Sequence, residues 1–323
     1  MNDFARFLNA FDGIEPYSGT PPKGFLVDWL GALTDGNFRT IFGINPSAIG
    51  GHQITTRLPT VSDGEGWFEA VNQVEAAKAA RDRFVMVTLG ACYGSQAVGS
   101  FLALQKLNPM PSKLVAVEPE PENLKWVAKH FRDNGIDPDQ HWLVGSAISD
   151  SNRPIFFPVG SPGSGAQNSF STNDIGARRY YAKTLIEGGH AEDALRSLLI
   201  ENTTGLKKQL VPGSDAFEAE IKLMSAITLN DVLSPFDFVD YVEVDIQQSE
   251  IIVFPPFMDL VKRKVRRVHI GTHGTEVHAE LSDLFKKDGW EMVFDLPPNS
   301  EHQTPYGNFS LNDGVLSVVN PAL

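Results

Sequence analysis

The sequence predicts an α/β fold: a wound, mostly parallel sheet with one antiparallel strand, preceded by an N-terminal extension and interrupted by an inserted lid. Three observations carry the prediction. From Phe84 onward, apolar runs of strand length alternate with segments of helical period, the pattern of a parallel sheet crossed by helices. A glycine-punctuated turn joins the first such run to the first helix. Near the end, two strand-like runs follow each other with no helix between them, and strands so joined are naturally antiparallel.

The first eighty residues differ in texture from the rest. Phe4, Phe7, Leu8 and Phe11 fall at i, i+3, i+4 and i+7, which predicts a short amphipathic helix that ends near Gly13. With Asp3 and Asp12 against Arg6 alone, its apolar side is expected to dock on the protein's own core rather than on a membrane. Residues 17–65 are rich in Gly, Pro and Thr and read as irregular. A helix follows from Gly66 to Arg83 and feeds the first strand directly.

That strand, Phe84 to Gly90, is apolar nearly throughout, as a strand buried on both faces should be. Gly90 and Gly94 bracket the turn, where missing side chains let the backbone approach a ligand. After the helix Ser95 to Leu107, the second strand, Lys113 to Val117, ends at Glu118, placed to accept hydrogen bonds from two ribose hydroxyls, and Pro119 stops it. The turn reads G-x-x-x-G, whereas a dinucleotide fold shows G-x-G-x-x-G so that a pyrophosphate can sit on the helix N-terminus. A cofactor with adenine and ribose but no phosphate fits better, which points to S-adenosylmethionine.

Glu122 to Asn134 predicts the second crossover helix, and Trp142 to Ile148 the third strand. Pro154 to Val159 reads as an edge strand, after which alternation stops until about residue 226. This insertion opens on Gly160-Ser161-Pro162-Gly163-Ser164-Gly165 and continues through Gln167, Asn168 and Ser169 into a polar, partly helical stretch. The glycine-rich opening lacks the Gly-Lys-Ser/Thr ending of a phosphate-binding loop, so a lid over a transfer site is expected. Arg178, Arg179, Tyr180 and Tyr181 are candidates there for an anionic or sugar acceptor, a solvated helix face being the plainer reading.

In the fourth strand, Asp237 to Ile246, period two places Tyr241, Glu243 and Asp245 on one face and Val242, Val244 and Ile246 on the other. Carboxylates on a buried face are costly unless paired. Asp245 falls at the carboxyl edge, where wound sheets bind ligands, and is a candidate catalytic base; Glu243, deeper, is either a site residue or half of a structural ion pair. The fifth strand, Val265 to Thr272, delivers His269, His273, Glu276 and His278 to the same edge within ten residues. His273, just past the strand, is the candidate base or acceptor-binding histidine, and His278 is expected to be structural. No H-E-x-x-H or comparable motif is present, so no metal is assigned. Gly289 ends a helix, and Trp290 to Leu296 and Gly314 to Asn320 form the last two strands, with a polar loop between. The two resulting units are residues 1–80, the extension, and residues 81–323, the Rossmann-like domain with its insertion at about 160–226.

Composition narrows the partners. Twenty-seven basic against forty acidic residues give a net charge of −13, which disfavours nucleic acid. Cys92 alone excludes an internal disulfide framework and fits a reducing compartment, so a cytoplasmic protein is expected. No run reaches the roughly 18 apolar residues of a membrane span.

The series VTLGACYGSQAV (87–98), VAVEPEPENLKWVAKHFRDNGI (115–136), SAISD (146–150), ITLNDVL (227–233) and VDYVEVDIQQSE (239–250), with HIGTHGTEVH (269–278), resembles the FkbM-like S-adenosylmethionine-dependent methyltransferases in order and spacing. The resemblance covers about residues 67–321. It implies a seven-stranded class I methyltransferase sheet, cofactor binding through Gly90, Ala91, Gly94, Glu118, Ser146 and Ala147, and methyl transfer to a hydroxyl of a sugar, glycan or natural product, a small-molecule or glycan acceptor. Three positions depart from the family pattern: Thr88 stands where an acid is general, Cys92 where glycine or asparagine is common, and Gln248 where Asp-x-Glu/Gln-Gly-x-Glu has its glycine. The alternative these departures motivate is a cofactor-binding or scaffold protein without turnover.

Overall fold

The computed structural model describes residues 4–159, 207–209, 218–247 and 249–323. Its centre is a seven-stranded sheet of β1 (Phe84–Leu89), β2 (Ser112–Val117), β3 (Trp142–Val144), β4 (Val239–Val244), β5 (Val265–Thr272), β6 (Glu291–Leu296) and β7 (Gly314–Val319), in the spatial order β3-β2-β1-β4-β5-β7-β6. Neighbours from β3 to β5 are parallel, and β7 runs antiparallel to both β5 and β6. A mostly parallel sheet of this order with one reversed strand is the class I methyltransferase, Rossmann-like fold.

Order reverses between β1 and β4, because β1 is followed outward by β2 on one side while β4 and β5 extend the other. Such a switch point leaves a crevice at the carboxyl ends of the strands. Helices α1 (Glu65–Ala79), α2 (Ser95–Leu107) and α3 (Pro121–Asp133) pack with the N-terminal segment on one face, around Phe68, Val71, Phe84, Met86 and Tyr241. Helix α4 (Thr275–Lys287) and the short helices Leu229–Leu233, Glu250–Val253 and Met258–Lys264 cover the other face, where Val87, Val115, Val242 and Ile270 meet Leu281 and Phe285. The period-two reading of β4 holds: Tyr241 lies in the first cluster and Val242 and Val244 in the second.

Several boundaries differ from the sequence expectation. Only Phe4–Phe7 is helical at the start, as a 3₁₀ turn; Phe7 and Phe11 are buried on the core while Leu8 is exposed, because a tighter turn cannot bring all four positions to one side. The irregular stretch contains short antiparallel pairs, Ser18–Gly19 with Ile54–Thr55 and Phe25–Val27 with Leu33–Asp35. The third strand divides: β3 ends at Val144, and Ala147–Ile148 leaves the sheet to pair in parallel with Ala226–Ile227. The polar loop between β6 and β7 is a hairpin, Ser300–Thr304 with Gly307–Leu311, whose alternating Phe309 and Leu311 are buried.

The described edges of the insertion are strands rather than helix: Ile155–Val159 and Lys207–Gln209 flank Glu218–Met224, both antiparallel to it. The glycine-rich opening, Gln167 to Ser169, and Arg178 to Tyr181 lie outside the described residues, as does Gln248. Among the described residues no helix is long and apolar enough to cross a membrane.

Candidate active site

The turn after β1 brings backbone, not side chains, to the crevice. Gly90 sits at φ +82°, and a Cβ there would lie 1.9 Å from the carbonyl oxygen of Asp245, so only glycine allows β1 and β4 to meet at this point. The N–H groups of Gly90 and Ala91 both donate to the Val117 carbonyl at 3.0 Å, which ties the turn to β2. Gly94 closes the turn at φ +86° against Val127 of α3.

Glu118 follows β2 directly and is 1% exposed. Its Oε2 accepts from the Cys92 N–H at 2.8 Å and its Oε1 from the Glu120 N–H at 2.9 Å. Burial pushes its carboxyl up to about 7, against the lowering effect of these donors. A carboxylate has about four acceptor directions, so two strong bonds leave room for ribose hydroxyls.

Gly90, Glu118, Ser146, Ala147 and Asp245 line a single cleft of about 390 Å³. Its apolar walls are Val117, Ile148, Phe157 and Ile246, completed by Pro119 and Ser249. The mostly apolar lining with a few convergent polar groups is that of a small-molecule site. Ala91 is not in this lining; it is buried in the core, and Gly94 acts through backbone shape. Phe157 and Ser249 were not legible as site residues, since one lies on an edge strand and the other in an undistinguished polar turn.

Asp245 is the last link between this cleft and a second group of charges. Its side chain is 47% exposed, opening toward the crevice, yet the surrounding walls desolvate its carboxyl and raise it, while His273 and Gln247 pull it back. His273 is nearly buried; its Nε2 lies 3.4 Å from Asp245 Oδ1 and 3.7 Å from Asp313 Oδ1, and its Nδ1 3.1 Å from Glu250 Oε1. Burial alone would push His273 down, but Glu250, Asp245 and Asp313 outweigh it and raise it to about 9. His273 is therefore charged at neutral pH.

Deeper on the same face, Glu243 is buried and accepts from Thr88 Oγ1 at 2.5 Å. Burial raises it well above the ordinary carboxylate range, against the lowering effect of the Thr88 hydroxyl. Thr88 and Glu243 are direct partners across the β1–β4 ladder, and an acid at 88 would set two carboxyls face to face. The departure at 88 is thus matched by the residue beside it. His269 is buried beside Asn72 and Ser317 and pushed down to about 3 by burial, hence neutral. His278 is held between Thr272 and Asp295 inside α4, a structural position.

A second, larger cleft of about 1230 Å³ opens on the other side of the glycine turn, between the N-terminal segment and α1 and α2. Trp29, Arg39, Glu69, Gln73, Tyr93 and Gln96 are among its lining. Glu69 is raised to about 7, chiefly by burial, and Asp245 adds to the effect. Among the described residues no group of three or more His, Cys, Asp or Glu is arranged to hold a metal ion.

No protein-family model matches the chain. A protein of Jannaschia sp. (strain CCS1) named as a candidate methyltransferase is 23% identical over 260 residues, covering 80% of this chain and 78% of its own. Among solved structures, the precorrin-6y C5,15-methyltransferase of Geobacter metallireducens GS-15 matches at 10% identity and a TM-score of 0.37, over 78% of this chain and 86% of that one. The methyltransferase FkbM of Methylobacillus flagellatus KT matches at 11% identity and a TM-score of 0.39, over 78% of this chain and 54% of that one.

Proposed function

We propose that the chain is an S-adenosylmethionine-dependent methyltransferase of the FkbM-like kind that methylates a hydroxyl oxygen. The observation that carries this is the convergence of Gly90, Glu118 and Asp245 on one cleft. The residues present fit the cofactor: Glu118 has acceptor directions to spare for the ribose, Val117, Ile148, Phe157 and Ile246 make an apolar slot for adenine, and Gly90 lets the β1 turn and the end of β4 close together on the cleft. Bound there, the cofactor supplies an electrophilic methyl group on a sulfonium.

The chain's own part is to place an acceptor oxygen in line with that methyl and to take up the proton that the hydroxyl loses. Positioning contributes much of the acceleration in such a transfer. The larger cleft beside Glu69 and Tyr93 is the reading for the acceptor, since it is walled by polar groups and Asp245 acts electrostatically on Glu69 in its wall. Asp245 is the proton acceptor in this reading, because His273 already carries its second proton at neutral pH.

Calorimetry with S-adenosylmethionine tests the first half: binding with micromolar affinity is expected, and none at millimolar cofactor would remove the proposal. Transfer of labelled methyl to a panel of sugars, glycans and hydroxylated small molecules tests the second. Binding without transfer to any of them would favour a cofactor-binding protein without turnover.

A further inference from the structure

We propose that Glu250 acts on the reaction through His273: the buried carboxylate holds the imidazole in its doubly protonated form, and that cation is the counter-ion that offsets the like charges around Asp245. The inference rests on Asp245 being the proton acceptor of the proposed transfer.

Glu250 begins the helix Glu250–Val253 and is fully buried. Its Oε1 accepts from the Ile246 N–H at 3.2 Å and faces His273 Nδ1 at 3.1 Å, while its Oε2 has no hydrogen-bond partner. A buried carboxylate left half satisfied is costly, and the cost falls steeply when a cation is in contact. Among the described residues His273 is the group in contact that can supply one. The chain arranges the meeting by reversing just after β4: Gln247 takes φ +52°, which swings Glu250 back beneath the strand end.

The groups facing His273 are acidic from every side. Asp245 comes from the end of β4, Glu250 from the helix after it, and Asp313 from the residue before β7; Glu65, at the start of α1, adds a longer-range contribution. Of the charges acting on Asp245, His273 is the foremost that favours ionisation, whereas Glu250 and Asp313 oppose it. A neutral His273 would leave Asp245 among like charges, which push its carboxyl further up. Gln247 fits the cationic state as well: its amide lies 2.6 Å from His273 Nε2, and presenting its oxygen there accepts the second N–H. That orientation gives up the amide donation to Asp245 at 3.0 Å and leaves His273 as the counter-ion of Asp245.

Titration of the cofactor-free protein by NMR, following His273 Cε1 and the Asp245 carboxyl carbon, tests this without an acceptor. In the wild type His273 is expected to titrate above about pH 8. Glu250→Gln is expected to lower it by about two pH units, which leaves it cationic where the Asp245 carboxyl titrates, so the Asp245 midpoint should not rise. His273→Gln should raise the Asp245 midpoint, and adding Glu250→Gln to it should raise Asp245 no further. A His273 midpoint at or below about 6.5 in the wild type, or one indifferent to Glu250→Gln, would overturn the proposal. Should Glu250→Gln fail to fold, the wild-type titration and the Asp245 shift in His273→Gln decide the same question. Because neither measurement needs transfer, its outcome is separate from that of the methyltransferase reading. Where transfer is found, the acid limb of turnover should move to higher pH in His273→Gln; a loss of stability with an unmoved limb would mark the Glu250–His273 pair as structural only.

Discussion

Glu118 and Asp245 occupy equivalent places in the chain, each a carboxylate one residue past a parallel strand at the same edge of the sheet, and both face the same cleft. Their surroundings differ. Glu118 is clamped by two backbone N–H groups that cannot gain or lose protons, so its geometry is fixed. Asp245 is half open and faces an imidazole, an amide and two further carboxyls, so its charge depends on theirs. Backbone donors make a carboxylate a dependable acceptor; ionisable neighbours make it adjustable. The first arrangement suits binding and the second suits proton transfer.

Gly90→Ala should remove the distinction altogether, because Gly90 touches both ends. The added Cβ collides with the backbone of Asp245, and φ +82° costs a further 1 to 2 kcal/mol or so for a residue with a side chain. Cofactor affinity measured by calorimetry should fall by more than about a hundredfold, with a melting temperature lower by several degrees. Unchanged binding would mean that the β1–β4 contact is not part of the cofactor site.

Asp245→Asn should separate the two ends. Turnover is expected to fall by about 10²- to 10⁴-fold while cofactor affinity stays within about threefold. A matching loss in both would place Asp245 on the cofactor rather than on the proton. Glu118→Gln should do the reverse. Above a pH of about 7, where Glu118 is ionised, replacing this charged acceptor of ribose hydroxyls costs about 1.5 to 3 kcal/mol, so affinity should weaken by roughly ten- to a hundredfold, with turnover at saturating cofactor largely kept.

How far these two carboxylates could be told apart from the sequence is instructive. The alternation of strands and helices, the antiparallel terminal pair and the position of both acids past their strands followed from hydrophobic period and from the helix-free terminus. The roles of their neighbours did not. Glu250 has the place of an ordinary first-turn acid in a helix, and its burial arises from the reversal at Gln247, a local backbone choice with no hydrophobic signature. Thr88 read as a defect because its partner, Glu243, lies 155 residues away on the adjacent strand. The split of the third strand and the hairpin before β7 were missed for a related reason, since two- and five-residue strands give too few periods to distinguish from loop.

The pH dependence of stability gives the smallest expected effect and places the two ends in different windows. Glu118 rises from an ordinary 4.5 to about 7 on folding, so the folded state binds its proton more tightly than the unfolded chain. Its contribution is fully present below pH 4.5 and is lost as pH rises through about 7. Glu69 shares that window, and Glu65 extends it to about 8. His273 rises from 6.5 to about 9, so its contribution is intact below 6.5 and is lost as pH rises through about 9. Thermal melts should therefore decline in two overlapping stages between pH 4.5 and 9. Glu118→Gln should flatten part of the lower stage and leave the upper one, whereas His273→Gln should flatten the upper stage alone. An upper stage that survives His273→Gln would assign it to Glu65, whose carboxyl burial and the neighbouring acids raise to about 8, and would shift the burden of charge from the end of β5 to α1.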